Sequence, residues 1–141
     1  IRAHYDRNQE TIYLLDELYV NKWPNENLAD WIKGKKYTDA YITCDSAEPK
    51  SVADLRAFGL PAQSAMKGPG SVDYGFKWLQ KRKIVIDRHR TPNAYQEFAN
   101  YEYERDKDGE FISGYPDRND HILSATRYAF ERAFMRMGVT A

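Results

Sequence analysis

The chain has 141 residues, of which 42% are hydrophobic, 14% aromatic and 30% charged, and 21 basic side chains balance 21 acidic ones. This composition excludes a disordered chain, a collagen-like repeat and a disulfide scaffold, because it supplies enough apolar residues for a core but only one cysteine. No apolar run approaches the ~20 residues of a membrane-spanning helix, so we expect one intracellular domain over residues 1–141, with no membrane partner. Because the chain starts at Ile1 and not at methionine, we expect it to be a piece of a longer protein.

The balanced charges are unevenly distributed along the chain. Residues 49–90 contain nine basic and three acidic side chains, whereas residues 1–48 and 91–141 each contain six basic and nine acidic ones. A basic middle between acidic ends is typical of a carboxylate metal site beside a phosphate-binding surface. Chance clustering on a solvated surface gives the same pattern, so charge alone does not decide between the two interpretations.

The first 20 residues have the pattern of a β-hairpin. Residues 1–5 are a short β-prone run, and residues 11–20 are rich in β-branched and aromatic side chains. Residues 6–10 between them are polar and have the length of a hairpin turn. We therefore expect two antiparallel neighbouring strands.

Helical and strand patterns alternate along the rest of the chain. Ser71 is predicted to cap one helix, and Thr91 to cap another that has Pro92 at its first position. The predicted helices are residues 25–34, 49–58, 71–82, 92–100 and 119–137, the predicted strands are residues 39–44, 61–66 and 83–86, and an Asp-Gly turn is predicted to join residues 101–105 and 110–113 in a second hairpin. This order predicts an α/β domain with a mixed β-sheet.

Asp45 is the first candidate for chemistry, because it directly follows an apolar strand. The carboxyl ends of strands are where α/β sheets place their sites. Glu48, three residues later, supplies a second carboxylate. Carboxylates suit hard cations such as Mg²⁺ and Mn²⁺. The alternative is that Asp45 only caps the helix that follows.

A second cluster lies at the start of the last predicted helix, where Asp117 and Asp120 precede His121. Carboxylates are favoured at a helix N-terminus in any case. Ser124 and Arg127 lie on about the same helix face as His121, by three-residue spacing. A face with this polar composition is unusual for a core helix and would suit a polar cleft.

The glycine-rich segment KGPGS of residues 67–71 precedes a predicted helix, an arrangement that can approach a phosphate closely. It lacks the GxxxxGK[ST] pattern, so nucleotide hydrolysis is not expected. Lys67 and Lys77 lie in the basic middle of the chain and could follow a nucleic-acid backbone. An ordinary loop and a solvated helix surface are the alternatives.

Several motifs resemble one family in the same order along nearly the whole chain. They are YLLDELY at residues 13–19, DSAEPKS at residues 45–51, KGPGSV at residues 67–72, and NDH at residues 119–121 followed by Arg-Tyr at residues 127–128. The chain closely resembles the C-terminal nuclease domain of the phage terminase large subunit.

The resemblance implies an RNase H-like mixed β-sheet flanked by helices, with a β-hairpin before the C-terminal helix. It also implies a Mg²⁺- or Mn²⁺-dependent endonuclease that cuts concatemeric double-stranded DNA during packaging, by a two-metal mechanism. A separate N-terminal ATPase domain, absent here, would drive translocation. The terminase small subunit and the portal protein are the implied partners, and the cytoplasm of the infected bacterium is the implied location.

Carried over to this sequence, the resemblance makes Asp45 a metal ligand and matches His121 to the histidine of the family's helix motif. Ser124 stands where the family has a metal-binding aspartate, and the family's first acid lies on a strand before Ile1. The expected catalytic residues are therefore Asp45, His121 and Ser124, in an inactive or impaired site.

The sequence leaves open both the full set of site residues and the function. The residues Glu17, Glu48 and Asp120 are further acids that could contribute to the site, and Lys67, Lys77 and Arg127 are the expected DNA contacts. A non-catalytic domain of the same fold that binds DNA or docks on the portal is the alternative function. An unrelated mixed α/β domain, in which the acids only cap helices, is a further alternative.

Overall fold

A computed structural model describes residues 1–66, 68, 70–100, 108 and 121–138 of the chain. The predicted hairpin of residues 101–105 and 110–113 lies outside these residues, as do Lys67, Asp117 and Asp120. The chain forms two compact units: the first unit comprises residues 1–18 and 69–141, and the second unit comprises residues 19–68. This is a finer division than the single domain predicted from the sequence.

Strands and helices alternate after an initial pair of strands, as predicted. In chain order the elements are β1 (Arg2–Asp6), β2 (Thr11–Asp16), α1 (Asn25–Gly34), β3 (Ile42–Cys44), α2 (Pro49–Ala57), β4 (Ala62–Ser64), α3 (Ser71–Gln80), β5 (Lys83–Ile86), α4 (Pro92–Asn100), α5 (His121–Ala129) and α6 (Glu131–Gly138). None of the described helices is long and apolar enough to cross a membrane.

The first unit is built on a three-stranded mixed sheet in the order β1-β2-β5. β1 and β2 pair antiparallel, which confirms the predicted hairpin, and β5 pairs parallel to β2 with Leu14 opposite Ile86. Side chains on successive residues of a strand point to opposite faces. Ile12 and Leu14 are therefore buried, while Tyr13 between them is exposed.

Helices cover the buried face of this sheet. The core of the first unit consists of Ile12, Leu14, Phe76, Trp78, Leu79, Ala94, Ile122, Leu123, Phe130 and Phe134. Arg82 adds a polar layer at its edge: its Nε donates a hydrogen bond to the Tyr5 hydroxyl at 3.0 Å, and its guanidinium lies 4.4 Å from the centre of the Trp78 ring. Cation–π contacts of this kind favour arginine over lysine.

The second unit has its own sheet and its own core. β3 and β4 pair parallel, with Cys44 opposite Ser64. The helices α1 and α2 contribute to a core formed by Ala29, Ile32, Val52, Leu55, Leu60 and Ala62. Gly59 has φ +88°, a left-handed conformation that glycine adopts without steric cost, and it follows the end of α2 as the sequence predicts.

The helix predicted over residues 119–137 is wrong as a single element. Within its described part, α5 ends at Ala129 and α6 begins at Glu131, with Phe130 in a turn between them. The hydroxyl of Thr126 donates a 2.7 Å hydrogen bond to the carbonyl four residues earlier, and such back-bonding bends helices. The break lets Phe130 and Phe134 both enter the core of the first unit.

Two predicted helix caps are also wrong. The N-cap of α3 is Gly70, with φ +74°, and Ser71 is the first helical residue. At α4 the hydroxyl of Thr91 donates to the carbonyl oxygen of Asp87 at 3.0 Å, and the N–H groups of Asn93 and Ala94, which a capping side chain would accept, donate to Glu17 instead. In both cases a tertiary or backbone solution replaces the side-chain cap that the sequence favours.

Candidate functional site

Asp45 directly follows β3 in the second unit, and its side chain is exposed. Its Oδ1 accepts the N–H of Ala47 at 2.9 Å, and its carbonyl accepts the N–H of Glu48 at 3.1 Å. The Ala47 N–H is the only hydrogen-bond partner of the carboxylate among the described residues, so none of them bonds to Oδ2. An ionised carboxylate with an open oxygen at a strand end can bind a hard cation.

The structure does not support the alternative in which Asp45 caps α2. The N-cap of α2 is Glu48, and no side chain makes a capping hydrogen bond there. Asp45 instead closes a tight turn on its own backbone, as aspartate commonly does. Its neighbour Cys44 is half-buried, and burial raises the pKa of this thiol, so the neutral thiol predominates at neutral pH.

His121 and Ser124 lie one turn apart at the start of α5, in the first unit. His121 is exposed and Ser124 is half-buried, whereas Ile122 and Leu123 between them are buried in the core. The helix thus presents the two polar residues on one side and two apolar anchors on the other. Ser124 brings a neutral hydroxyl to the position where the family resemblance implies a carboxylate.

The first turn of α5 is held by Glu97, a residue of α4 that the sequence analysis missed. Its Oε1 accepts the N–H of Ile122 at 2.7 Å and the N–H of Leu123 at 3.2 Å. The side chain is buried. A signal was present in the sequence: Glu97 interrupts the apolar stripe of Ala94 and Phe98, and a buried acid on such a face needs a partner.

Glu17 holds the first turn of α4 in the same way as Glu97 holds that of α5. The sequence analysis named Glu17 as an acid that could contribute to the site. Its Oε1 accepts the N–H groups of Asn93 at 2.8 Å and Ala94 at 3.3 Å. This carboxylate replaces the predicted Thr91 cap. Its other oxygen, Oε2, is buried and has no hydrogen-bond partner among the described residues.

Of the three expected DNA contacts, Lys67 lies outside the described residues. Lys77 is exposed on α3, and its ammonium lies 2.9 Å from the carboxylate of Asp73 one turn earlier. Surface pairs of this type are weak and screened by salt. Lys77 therefore stays available to another anion, and its contact with DNA stays a prediction.

Arg127 lies in the interior of the first unit. Its side chain is 7% exposed, and its guanidinium lies 5.6 Å from the ring centre of Phe76 and 4.5 Å from that of Tyr128. A Cβ placed on Gly75 would lie 2.6 Å from its Cδ, so the close contact of α3 with α5 requires glycine there. This is the environment of a packing residue, and the expected DNA contact of Arg127 stays a prediction.

The described residues do not form a complete metal site. Asp45 and Glu48 belong to the second unit, and His121 and Ser124 belong to the first. No group of three or more His, Cys, Asp or Glu side chains within the described part of the chain is arranged to hold a metal ion. The donors that are described, a carboxylate, an imidazole and a hydroxyl, are nonetheless of the kind that Mg²⁺ or Mn²⁺ accepts.

A mixed sheet flanked by helices is the architecture that the family resemblance implies, and the first unit has it. A family model described as the terminase RNase H-like domain matches residues 2–132. The chain belongs to this family, which confirms the expected family and fold class.

Similar proteins agree with this assignment. The chain is 42% identical to the terminase large subunit of Bacillus phage SPP1 over 143 residues, which cover 99% of the chain and 34% of that protein. It is 30% identical to the PBSX phage terminase large subunit of Bacillus subtilis strain 168, over 93% of the chain and 30% of that protein. The chain thus spans about a third of these relatives.

A solved structure extends the likeness to three dimensions. The crystal structure of the large terminase nuclease domain from bacteriophage SPP1 with bound Mn matches with a TM-score of 0.85 and 41% sequence identity. The match covers 93% of this chain and 76% of the other. At this identity the likeness covers sequence as well as fold.

Proposed function

We propose that this chain is the nuclease domain of a terminase large subunit and that it cuts double-stranded DNA during viral packaging with the help of Mg²⁺ or Mn²⁺. The observation that carries the proposal is its likeness to the Mn-bound nuclease domain of phage SPP1, at 41% identity over 93% of the chain. The proposed location is the cytoplasm of an infected bacterium, where viral DNA is packaged.

Asp45 is the residue best placed to hold a divalent cation. Its carboxylate is exposed, and the 2.9 Å hydrogen bond from Ala47 fixes its orientation while Oδ2 stays open. Two divalent cations, when bound, would activate a water and neutralise charge on the attacked phosphate.

The first unit contributes His121 and Ser124 from the first turn of α5. The exposed imidazole of His121 can bind a cation or move a proton. The hydroxyl of Ser124 is uncharged, and it offers a divalent cation less than a carboxylate would. We therefore propose that the site is impaired as it stands and that Ser124 is the cause within this chain.

DNA binding would follow from the basic middle of the sequence, with Lys67, Lys77 and Arg127 as the proposed contacts. The terminase small subunit and the portal protein are the proposed partners of the full-length protein. The second candidate function is a non-catalytic domain of the same fold that binds DNA or docks on the portal. One observation favours it: Ser124 is an uncharged residue at the position where the family resemblance implies a metal-binding carboxylate.

The test is cleavage of a circular plasmid with Mn²⁺ by the full-length protein that contains this chain, comparing the unaltered sequence with Ser124→Asp. We expect little cleavage by the unaltered chain and at least about 100-fold more by Ser124→Asp, because a restored carboxylate stabilises the cations that the reaction needs. The matched control is Gln9→Asp, which adds a carboxylate at an exposed position of the turn between β1 and β2. Equal cleavage by both would show that Ser124 does not limit the reaction, and no cleavage by either would favour the non-catalytic candidate.

A further inference from the structure

We propose that Glu97 is a positioning residue of the nuclease site: its buried carboxylate fixes the first turn of α5 and thereby the side chains of His121 and Ser124. The inference rests on the proposed function, because it assigns a role to Glu97 only if those two residues act on DNA or its cations. Glu97 itself lies on α4 and is not proposed to touch either.

The carboxylate of Glu97 supplies hydrogen-bond acceptors that the start of a helix needs. The first N–H groups of a helix have no partner within it. At α5 two of them, those of Ile122 and Leu123, donate to the same oxygen of Glu97 at 2.7 and 3.2 Å. A carboxylate at this end of a helix is also favoured by the helix dipole, and hydrogen bonds to an ionised acceptor are the stronger kind.

The two N–H groups that donate to Glu97 lie between the two site residues in the sequence. Ile122 follows His121 directly, and Leu123 precedes Ser124, so a carboxylate fixed to both backbone groups fixes the rotation and height of this turn. The Ile122 and Leu123 side chains are each 5% exposed and lock the same turn from the core side. Backbone and side-chain anchors thus converge on the two residues that flank the proposed chemistry.

The anchor itself is rigid because α4 is held in the same way. Glu17, just after β2, accepts the N–H groups of Asn93 and Ala94 at the start of α4. The chain of contacts therefore runs from the sheet to α4 through Glu17, and from α4 to α5 through Glu97. Each step is a carboxylate that accepts two backbone N–H groups, and all of it lies in the first unit.

Removal of Glu97 would leave two N–H groups without an acceptor in a region closed to water. The first turn of α5 should then open locally, while the rest of the helix stays folded through Ile122, Leu123 and Phe130. Glu97→Gln keeps one oxygen acceptor in a side chain of nearly the same shape, but it loses the charge and has an NH2 donor in place of the second oxygen. It should therefore restore most of what Glu97→Ala removes.

The experiment measures amide hydrogen exchange and Mn²⁺ affinity in the unaltered chain, Glu97→Ala and Glu97→Gln, with Glu131→Gln as the matched control. Glu131 is a second buried carboxylate of the first unit, and it lies on α6. For Glu97→Ala we expect exchange at Ile122 and Leu123 to rise by about 10- to 100-fold more than at Thr126. We expect Mn²⁺ affinity to fall about 10-fold, as for other residues that orient a ligand, with Glu97→Gln in between.

Two results would overturn the inference. One is exchange at Ile122 and Leu123 that rises no more than at Thr126, as it should in Glu131→Gln, because the carboxylate would then stabilise only the whole unit. The other is local opening in Glu97→Ala with unchanged Mn²⁺ affinity, because the turn would then not matter to the site. A failure of the proposed function looks different: the unaltered chain and Ser124→Asp would then neither bind Mn²⁺ nor cut DNA.

Discussion

The turn after β3 and the start of α5 both present residues of the proposed site, but they are held by opposite means. Asp45 is oriented by the backbone of its own turn, two residues away. The first turn of α5 is oriented by Glu97, 25 residues earlier in the chain. The comparison teaches that a local motif can position Asp45 reliably, whereas the positions of His121 and Ser124 depend on tertiary contacts. Substitutions should therefore affect the two regions differently.

The largest expected effect comes from substitution of Asp45, which is positioned by its own turn. Asp45→Asn in a Ser124→Asp background should lower Mn²⁺-dependent plasmid cleavage by more than about 100-fold, beyond the loss typical of a residue that only orients a ligand. The free energy of unfolding should change by less than about 0.5 kcal/mol, as for other exposed positions. Asparagine still offers an oxygen to the Ala47 N–H, so the turn should persist.

Asp30→Asn, an exposed acid of α1 in the same unit, is the control for that substitution. It removes the same charge away from the strand end and should leave cleavage unchanged. Equal losses from both variants would mean that net charge, and not a ligand, is being measured.

The next largest effect concerns the tertiary contacts of α5, which packs against α3 at Gly75. Gly75→Val should destabilise the chain by about 1–3 kcal/mol, the usual range for overpacking, because a Cβ there would lie 2.6 Å from Cδ and 2.7 Å from Cγ of the buried Arg127. Chemical denaturation measures the change. Gln80→Val, at an exposed position of the same helix, controls for the lower helix propensity of valine. A Gly75→Val chain as stable as this control would contradict the packing of α3 on α5.

The smallest effect concerns another local turn. The pKa of Asp87 is held below its ordinary value, chiefly by the hydrogen bond from the N–H of His89 at 2.8 Å, with a further one from the N–H of Arg90. A depressed pKa means that the ionised form stabilises the fold above the ordinary carboxyl pKa of ~3.9, and that this stabilisation is lost as the pH falls through the folded-state value.

Asp87→Asn keeps the turn and removes that titration. Denaturation at pH 6 and at successive pH values below 4 should show a slightly steeper loss of stability in the unaltered chain than in the variant. If the two pH profiles coincide, the depressed pKa of Asp87 makes no contribution to stability.

Much of the fold was predictable because it is encoded locally. The β1–β2 hairpin, α1, β5 and α4 follow from alternation, apolar spacing and the positions of proline and glycine. Asp45 was predictable as a site residue for the same reason: it directly follows an apolar strand. The resemblance to the terminase nuclease family rested on motifs of the same short range.

The features that escaped prediction are those set by distant residues. Glu17 and Glu97 read as ordinary acids in the sequence, and only the folded chain shows which helix starts they meet. The break at Phe130 depends on the need to bury both Phe130 and Phe134, which a helical pattern alone does not reveal. The DNA contact of Arg127 stays a prediction, but the burial of its side chain against Phe76 depends on α3, which is distant in the sequence.

The most direct test of the central claim is a Mn²⁺ titration of the full-length protein carrying Ser124→Asp, alone and combined with Asp45→Asn, followed by the paramagnetic resonance signal of free Mn²⁺. We predict that the Ser124→Asp protein removes Mn²⁺ from solution and that the added Asp45→Asn substitution abolishes most of this binding while the protein stays folded. Equal binding by both proteins, or none by the Ser124→Asp protein, would contradict the assignment of Asp45 as the ligand of a metal-dependent nuclease.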